Sequence, residues 1–142
     1  MSMELFVIFA LSKSPTFDLW QSELEASRSP AQFSQKVDLQ QHTGFLPMKV
    51  QGRDSGFFLL RESYSDLAAN YPALRQLKQE DPIVYSLGYG GDFNECAAAF
   101  YSAAALVSMS DGKAFEPQGG QFMSKEELIE AASHCLQLAK GQ

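Results

Sequence analysis

The stretch Asp81-Pro82-Ile83-Val84-Tyr85-Ser86-Leu87-Gly88-Tyr89-Gly90-Gly91-Asp92-Phe93-Asn94-Glu95-Cys96-Ala97-Ala98-Ala99-Phe100, running on to Asp111, decides the fold. It reads as a strand, a glycine turn and a long Ala-rich helix. Pro82 opens the strand, where a missing N–H is tolerated. Ile83, Val84 and Tyr85 favour extended backbone, and Tyr85, Leu87 and Tyr89 share one face. Gly88, Gly90 and Gly91 permit a sharp change of direction. Asp92 is a good N-cap with Glu95 three residues on, and both acids suit the positive end of a helix dipole. Phe93, Cys96, Ala97, Phe100, Ala103, Ala104 and Val107 recur at intervals of three and four, the mark of a buried stripe. A helix of this length spans roughly 27 Å. Asn94, Glu95, Ser102 and Ser108 interrupt the apolar run before the ~20 residues a membrane span needs. The expectation is a core helix lying close against a sheet.

Upstream, Met3 to Leu11 is apolar on both faces and is expected to be a central strand covered on both sides. Ser14-Pro15 is expected to open a helix to about Ser27, with Phe17, Trp20 and Leu24 inward. The segment up to Lys36 fits no single element. Val37 to Leu39 reads as a short strand and Gly44 to Val50 as another, with Pro47 pointing to an edge or a bulge. Gln51-Gly52-Arg53-Asp54 has turn chemistry, and Ser55 to Arg61 is the return strand, in which Phe57 to Leu60 leave little exposed. Ser63 caps a helix anchored by Leu67, Leu74 and Leu77, which Pro72 splits or kinks. Downstream, Gly112 is expected to end the long helix, Lys113 to Glu116 to form a last short strand, and Pro117 to Gly120 a loop. Ser124 with Glu127 makes a capping box for a final helix to about Lys140. The order implies a single α+β domain over residues 1–142, with a mixed, mostly antiparallel sheet of about 4–6 strands and about four helices.

Composition narrows the function classes. The hydrophobic content of 45% is that of a folded domain, and 142 residues suffice for one core. A net charge of −6 argues against a nucleic-acid partner, which needs a basic surface, and is compatible with a basic protein partner or with simple solubility. The two cysteines, Cys96 and Cys135, fall on apolar helix faces without a disulfide framework, so a reducing cytoplasm is expected. Neither a signal peptide nor a membrane segment is read.

Candidate chemistry is sparse. Gly88-x-Gly90-Gly91 before a helix invites a phosphate, but no Lys-Ser/Thr follows, and Asp92 and Glu95 repel one; a tight packing turn explains the glycines. Cys96 sits in a first helical turn and His42 is a conceivable base, yet a buried thiol beside Ala97 is the simpler account. His134 and Cys135 are adjacent on a helix and point about 100° apart. Two Cys and two His lack metal-ligand spacing, and the expectation is no catalytic set, metal or cofactor. His42-Thr43-Gly44-Phe45-Leu46-Pro47 and Gly56-Phe57-Phe58 place aromatics around glycines on a hairpin. They are read as core, or alternatively as a binding rim beside acidic loops.

The chain also resembles a family of small, uncharacterised bacterial proteins. The likeness rests on Phe17-Asp18-Leu19-Trp20, His42 to Pro47, Gly56-Phe57-Phe58, Gly90-Gly91-Asp92-Phe93-Asn94-Glu95-Cys96, Asp111-Gly112-Lys113-Ala114-Phe115-Glu116-Pro117-Gln118 and Met123-Ser124-Lys125-Glu126-Glu127. Members look like orphan cytosolic proteins, some of them immunity proteins of polymorphic or contact-dependent toxin systems. The resemblance implies a cytoplasmic, non-enzymatic protein that occludes the active site of a cognate toxin domain, a basic nuclease being the fitting type. Asp54, Glu62, Asp66, Glu80 and Asp81, on turns and helix ends, are the candidate partner-binding residues. A ligand-binding protein or enzyme using a cleft near Gly88–Cys96, and an adaptor subunit, stand as alternatives.

Overall fold

The computed structural model describes residues 3–141. Its centre is a seven-stranded antiparallel sheet in the order β2-β3-β4-β5-β1-β6-β7. The strands are β1 (Met3–Ala10), β2 (Ala31–Phe33), β3 (Gly44–Val50), β4 (Arg53–Glu62), β5 (Pro82–Tyr89), β6 (Lys113–Glu116) and β7 (Gln121–Met123). Four α-helices accompany them: α1 (Phe17–Ala26), α2 (Tyr64–Asn70), α3 (Phe93–Ser110) and α4 (Lys125–Lys140). The α+β class and the four helices are as expected. The sheet is larger than expected, and every pairing is antiparallel rather than mixed.

Alternation along β1 sorts the core into two layers. Leu5, Val7 and Phe9 face α1 and α3, together with Tyr85, Leu87 and Tyr89 of β5. Phe6 and Ile8 face the other way, onto Ala68 and Leu74 of α2 and the 3-10 turn Pro72–Gln76. The two-sided burial of β1 follows, since it lies between β5 and β6. The long helix α3 runs against the sheet, and its small residues Ala97, Ala98, Ala99, Ala103 and Ala104 let it approach closely. Trp20 of α1 packs beside it and donates its indole N–H to the Ser102 carbonyl at 3.0 Å. The last helix, α4, packs on α3 and β7.

Some local readings need correction and others hold. The strand after α1 is Ala31–Phe33, not Val37–Leu39; it pairs with Met48–Val50, and its Ala31 and Phe33 enter the core. Thr16, not Ser14, caps α1, accepting from the Leu19 amide at 3.2 Å. Pro47 lies in β3 beyond the short pairing with β2, so its missing N–H costs the ladder little. Asp111, in the left-handed region, ends α3. Gly112 is needed for space instead: a Cβ there would lie 2.9 Å from the Ile8 carbonyl oxygen. Pro117 to Gly120 is the turn of a β6–β7 hairpin. The capping box at Ser124 is complete, with both reciprocal hydrogen bonds formed. At Asp92 the cap accepts from the Asn94 amide, but Glu95 reaches past it to the Gly90 amide.

The cysteine reading is also overturned. Cys96 and Cys135 are joined by a disulfide with Cα atoms 5.9 Å apart, tying the first turn of α3 to the middle of α4. The apolar stripes of the two helices, read separately in sequence, face each other and bring the sulfurs together.

Candidate functional site

The two sides of the sheet are covered unequally. Helices α1 and α3 cover one side, whereas α2 and its 3-10 turn cover only the β5-β1-β6 part of the other. The β3–β4 hairpin therefore presents one face to solvent. Its inward residues are Leu46, Met48, Val50, Phe57 and Leu59, all buried. Its outward residues include Phe45, Phe58 and Leu60, which are 39%, 49% and 40% exposed. The expectation that Phe57 to Leu60 leave little exposed is thus wrong for alternate residues. Of the two aromatic motifs, Leu46 and Phe57 belong to the core, as read, and Phe45 and Phe58 lie at the surface.

The outward aromatics are held by glycines. Phe45 pairs directly with Phe58 across the strands, ring centroids 5.3 Å apart in an edge-on arrangement. Gly56 has φ +149°, and a Cβ there would lie 2.3 Å from the Leu46 carbonyl oxygen and 2.7 Å from Phe45 Cζ. Only glycine lets the Phe45 ring lie over that backbone. On its other flank Phe58 pairs with Gly88, which offers no side chain to cover it.

Acids border this patch. Alternation places Asp54, Gly56, Phe58, Leu60 and Glu62 on one face of β4. Asp54 is held by Lys49 across the strands, its carboxylate 2.8 Å from the ammonium. The Glu62 carboxyl is pushed above its ordinary value by burial first, then by the negative charges of Glu4 and Asp66. Asp66 lies in the first turn of α2, whose Ser63 cap accepts from its amide. Of the five acids singled out in the sequence, Asp54, Glu62 and Asp66 therefore border the open face. Glu80 and Asp81 do not join them; they form the chain reversal before β5, and their carbonyls accept from the Leu11 amide. Glu4, whose charge acts on Glu62, was missed, because its position in an apolar strand singled it out in no way.

The alternative cleft is filled by the chain itself. The Gly90 amide donates to Glu95 Oε1 at 3.1 Å and the Asn94 amide to Asp92 Oδ1 at 2.7 Å, so these carboxylates take the donors an anion would use. Cys96 is bonded to Cys135, and the His42 ring lies 3.0 Å from the Phe45 carbonyl oxygen, so no Cys96–His42 pair forms. A hollow of about 430 Å³ lies between the start of α1 and Lys36–Gln40, bridged by the exposed Lys36–Asp18 ion pair. Another of about 250 Å³ lies between α1, α3 and α4 beside Tyr101 and Lys125. Neither gathers a nucleophile with a base. Among the described residues no three His, Cys, Asp or Glu side chains group to hold a metal, and no helix is long and apolar enough to cross a membrane.

Comparison of the chain with protein-family models, with curated proteins and with solved structures finds no match.

Proposed function

We propose that this protein is a binding module that docks a basic protein domain on the open face of the β3–β4 hairpin. The observation that carries the reading is the pairing of exposed Phe45, Phe58 and Leu60 with the flanking acids Glu4, Glu62 and Asp66. Aromatic side chains anchor interfaces, and complementary charge around them steers and orients a partner. The net charge of −6 extends the same attraction over the whole surface. The role that accommodates these features is that of an immunity protein occluding the active site of a cognate, basic toxin domain. The toxin identity of the partner rests on the sequence resemblance alone.

The test is purification of the tagged protein from its native host, with and without expression of the candidate toxin domain. The expected result is a stoichiometric complex with a basic domain that Phe58→Asp abolishes and that suppresses the toxin's activity. Recovery of the protein alone, with the toxin expressed, would overturn the immunity reading. A complex indifferent to Phe58→Asp would remove the open face from it.

A further inference from the structure

On the helical side of the sheet, α1, α3 and α4 leave a hollow of about 250 Å³ between them. Its lining is mainly apolar: Ala104 and Ala105 of α3 are buried, and Tyr101, Pro30 and Ile129 stand around them. The charged groups that line it are two cations, Arg28 and Lys125, and one carboxylate, Glu23. The ion pairs among the described residues are Lys13–Asp111, Lys36–Asp18 and Lys49–Asp54, so neither cation is neutralised by a neighbour. Lys125 donates to the Ser108 hydroxyl at 3.2 Å. Arg28 stands where the backbone disfavours it, with φ 54°. Its amide donates to the Glu25 carbonyl and the Ser29 amide to the Leu24 carbonyl, both at 3.0 Å, a helix ending that ordinarily takes glycine at the left-handed residue. Nor is its side chain needed there, because the Ser27 hydroxyl and the Gln32 amide already answer the Leu24 carbonyl. An arginine kept in a strained position that folding does not explain points to a task outside folding.

We infer that this hollow binds a small monocarboxylic acid with an apolar body. The body rests on Tyr101, Ala104, Ala105 and Ile129, and Arg28 and Lys125 meet the carboxylate. An apolar cavity of about 150 Å³ is enough for benzene, so the larger space here suits an aryl or medium-chain acid. A mostly apolar lining with a few charged groups is the usual make-up of a small-molecule site. The planar guanidinium grips a carboxylate with two parallel hydrogen bonds, and the ammonium adds a point charge. Glu23 opposes a second negative charge on the ligand, which selects a monocarboxylate. The hollow lies among the helices that cover the opposite side of the sheet from the exposed Phe45 and Phe58, and so is independent of the docking face.

The probes are 3-phenylpropionate and octanoate, titrated into the full chain and followed by amide chemical shifts, with 3-phenylpropionamide as the uncharged counterpart. Saturable shifts are expected at Arg28, Ala104, Ala105 and Ile129, with the amide at least about tenfold weaker. Arg28→Gly removes the guanidinium and relieves the left-handed backbone together. It is expected to weaken binding of the acids about fivefold or more while the melting temperature of the free protein holds or rises. Ile129→Asp alters an exposed part of the wall, so it should fold normally and repel the acids. Equal binding of the amide would overturn the inference, as would shifts confined to other basic surfaces such as the hollow beside Arg53 and Lys140. Unchanged affinity in Arg28→Gly, whatever its stability, or no saturation by either acid at about 10 mM would do the same. Phe58→Asp should leave acid binding unchanged, so failure of this site and failure of the docking face are read separately.

Discussion

Phe57 and Phe58 are neighbours in the chain and opposites in environment. Phe57 is fully buried against Trp20, whereas Phe58 is half exposed beside Phe45. Phe57→Ala is expected to cost about 3–5 kcal/mol in urea denaturation, as for other buried phenylalanines. Phe58→Ala is expected to cost about 1 kcal/mol or less, with its main effect on partner affinity. Gly56 shows how a residue without a side chain shapes a surface. Gly56→Ala forces a Cβ into the Leu46 carbonyl and a backbone region unsuited to alanine, so a loss of about 1–3 kcal/mol from strain alone is expected on denaturation. Glu62 carries a pH signature. Its folded carboxyl holds a proton more tightly than the unfolded one, so its favourable contribution is complete below the ordinary carboxylate value and is lost as pH rises through the folded value. Thermal melts should therefore show Glu62→Gln equal to or above the parent at neutral pH, with any advantage gone in acid. A variant that melts lower at neutral pH would mark Glu62 as a structural residue.

At the scale of elements, α3 is the piece on which the helical layer is built. Its residues are small where it meets the sheet and α1, and Phe100 contacts Tyr89 edge-on with centroids 5.6 Å apart. Phe100→Asp should abolish cooperative unfolding, since it would place a charge in that contact. The disulfide fastens α4 to this helix, closing a loop with a sequence separation of 39. Cys96→Ser with Cys135→Ser is expected to lower stability by about 2–4 kcal/mol under non-reducing conditions and to make the protein insensitive to dithiothreitol. The same midpoint for parent and double variant without reductant would show that the bond adds nothing beyond helix packing. The β6–β7 hairpin extends the sheet beyond β1, so that Phe122 meets Phe115 edge-on with centroids 5.2 Å apart and α4 has a strand to pack against.

For the whole molecule, the decisive feature is that one short helix cannot cover a seven-stranded sheet. Helix α2 has 7 residues, and with its 3-10 extension it shields the β5-β1-β6 part of its side. The remaining apolar surface is bordered by carboxylates, on a chain whose net charge is −6. Association with a basic domain should consequently slow steeply as salt rises, because the steering charges are exposed and screened over about 10 Å at 0.1 M. Stopped-flow association rates against ionic strength check this. A flat salt profile would leave the aromatic patch as the sole determinant of docking.

Much of the architecture was legible in the residues themselves. The β1 and β5 strands, α3 with its Asp92 start, and α4 with its Ser124 box carry strong local signals: sustained apolar periodicity, turn glycines and side-chain caps. Such signals act within a few residues of one another, and so survive without knowledge of the rest of the fold. The three-residue strands β2 and β7 were not legible, because their extended form comes from pairing with β3 and β6 rather than from their own propensity. Nor was the disulfide, whose sulfurs meet only when two amphipathic helices pack. The candidate site divides in the same way. Phe45, Phe58, Glu62 and Asp66 stood out by type, but an aromatic in a strand reads alike whether its face is covered or open. Only the tertiary structure decided that, through the limited reach of α2 and the antiparallel register that sets Phe58 between Phe45 and Gly88.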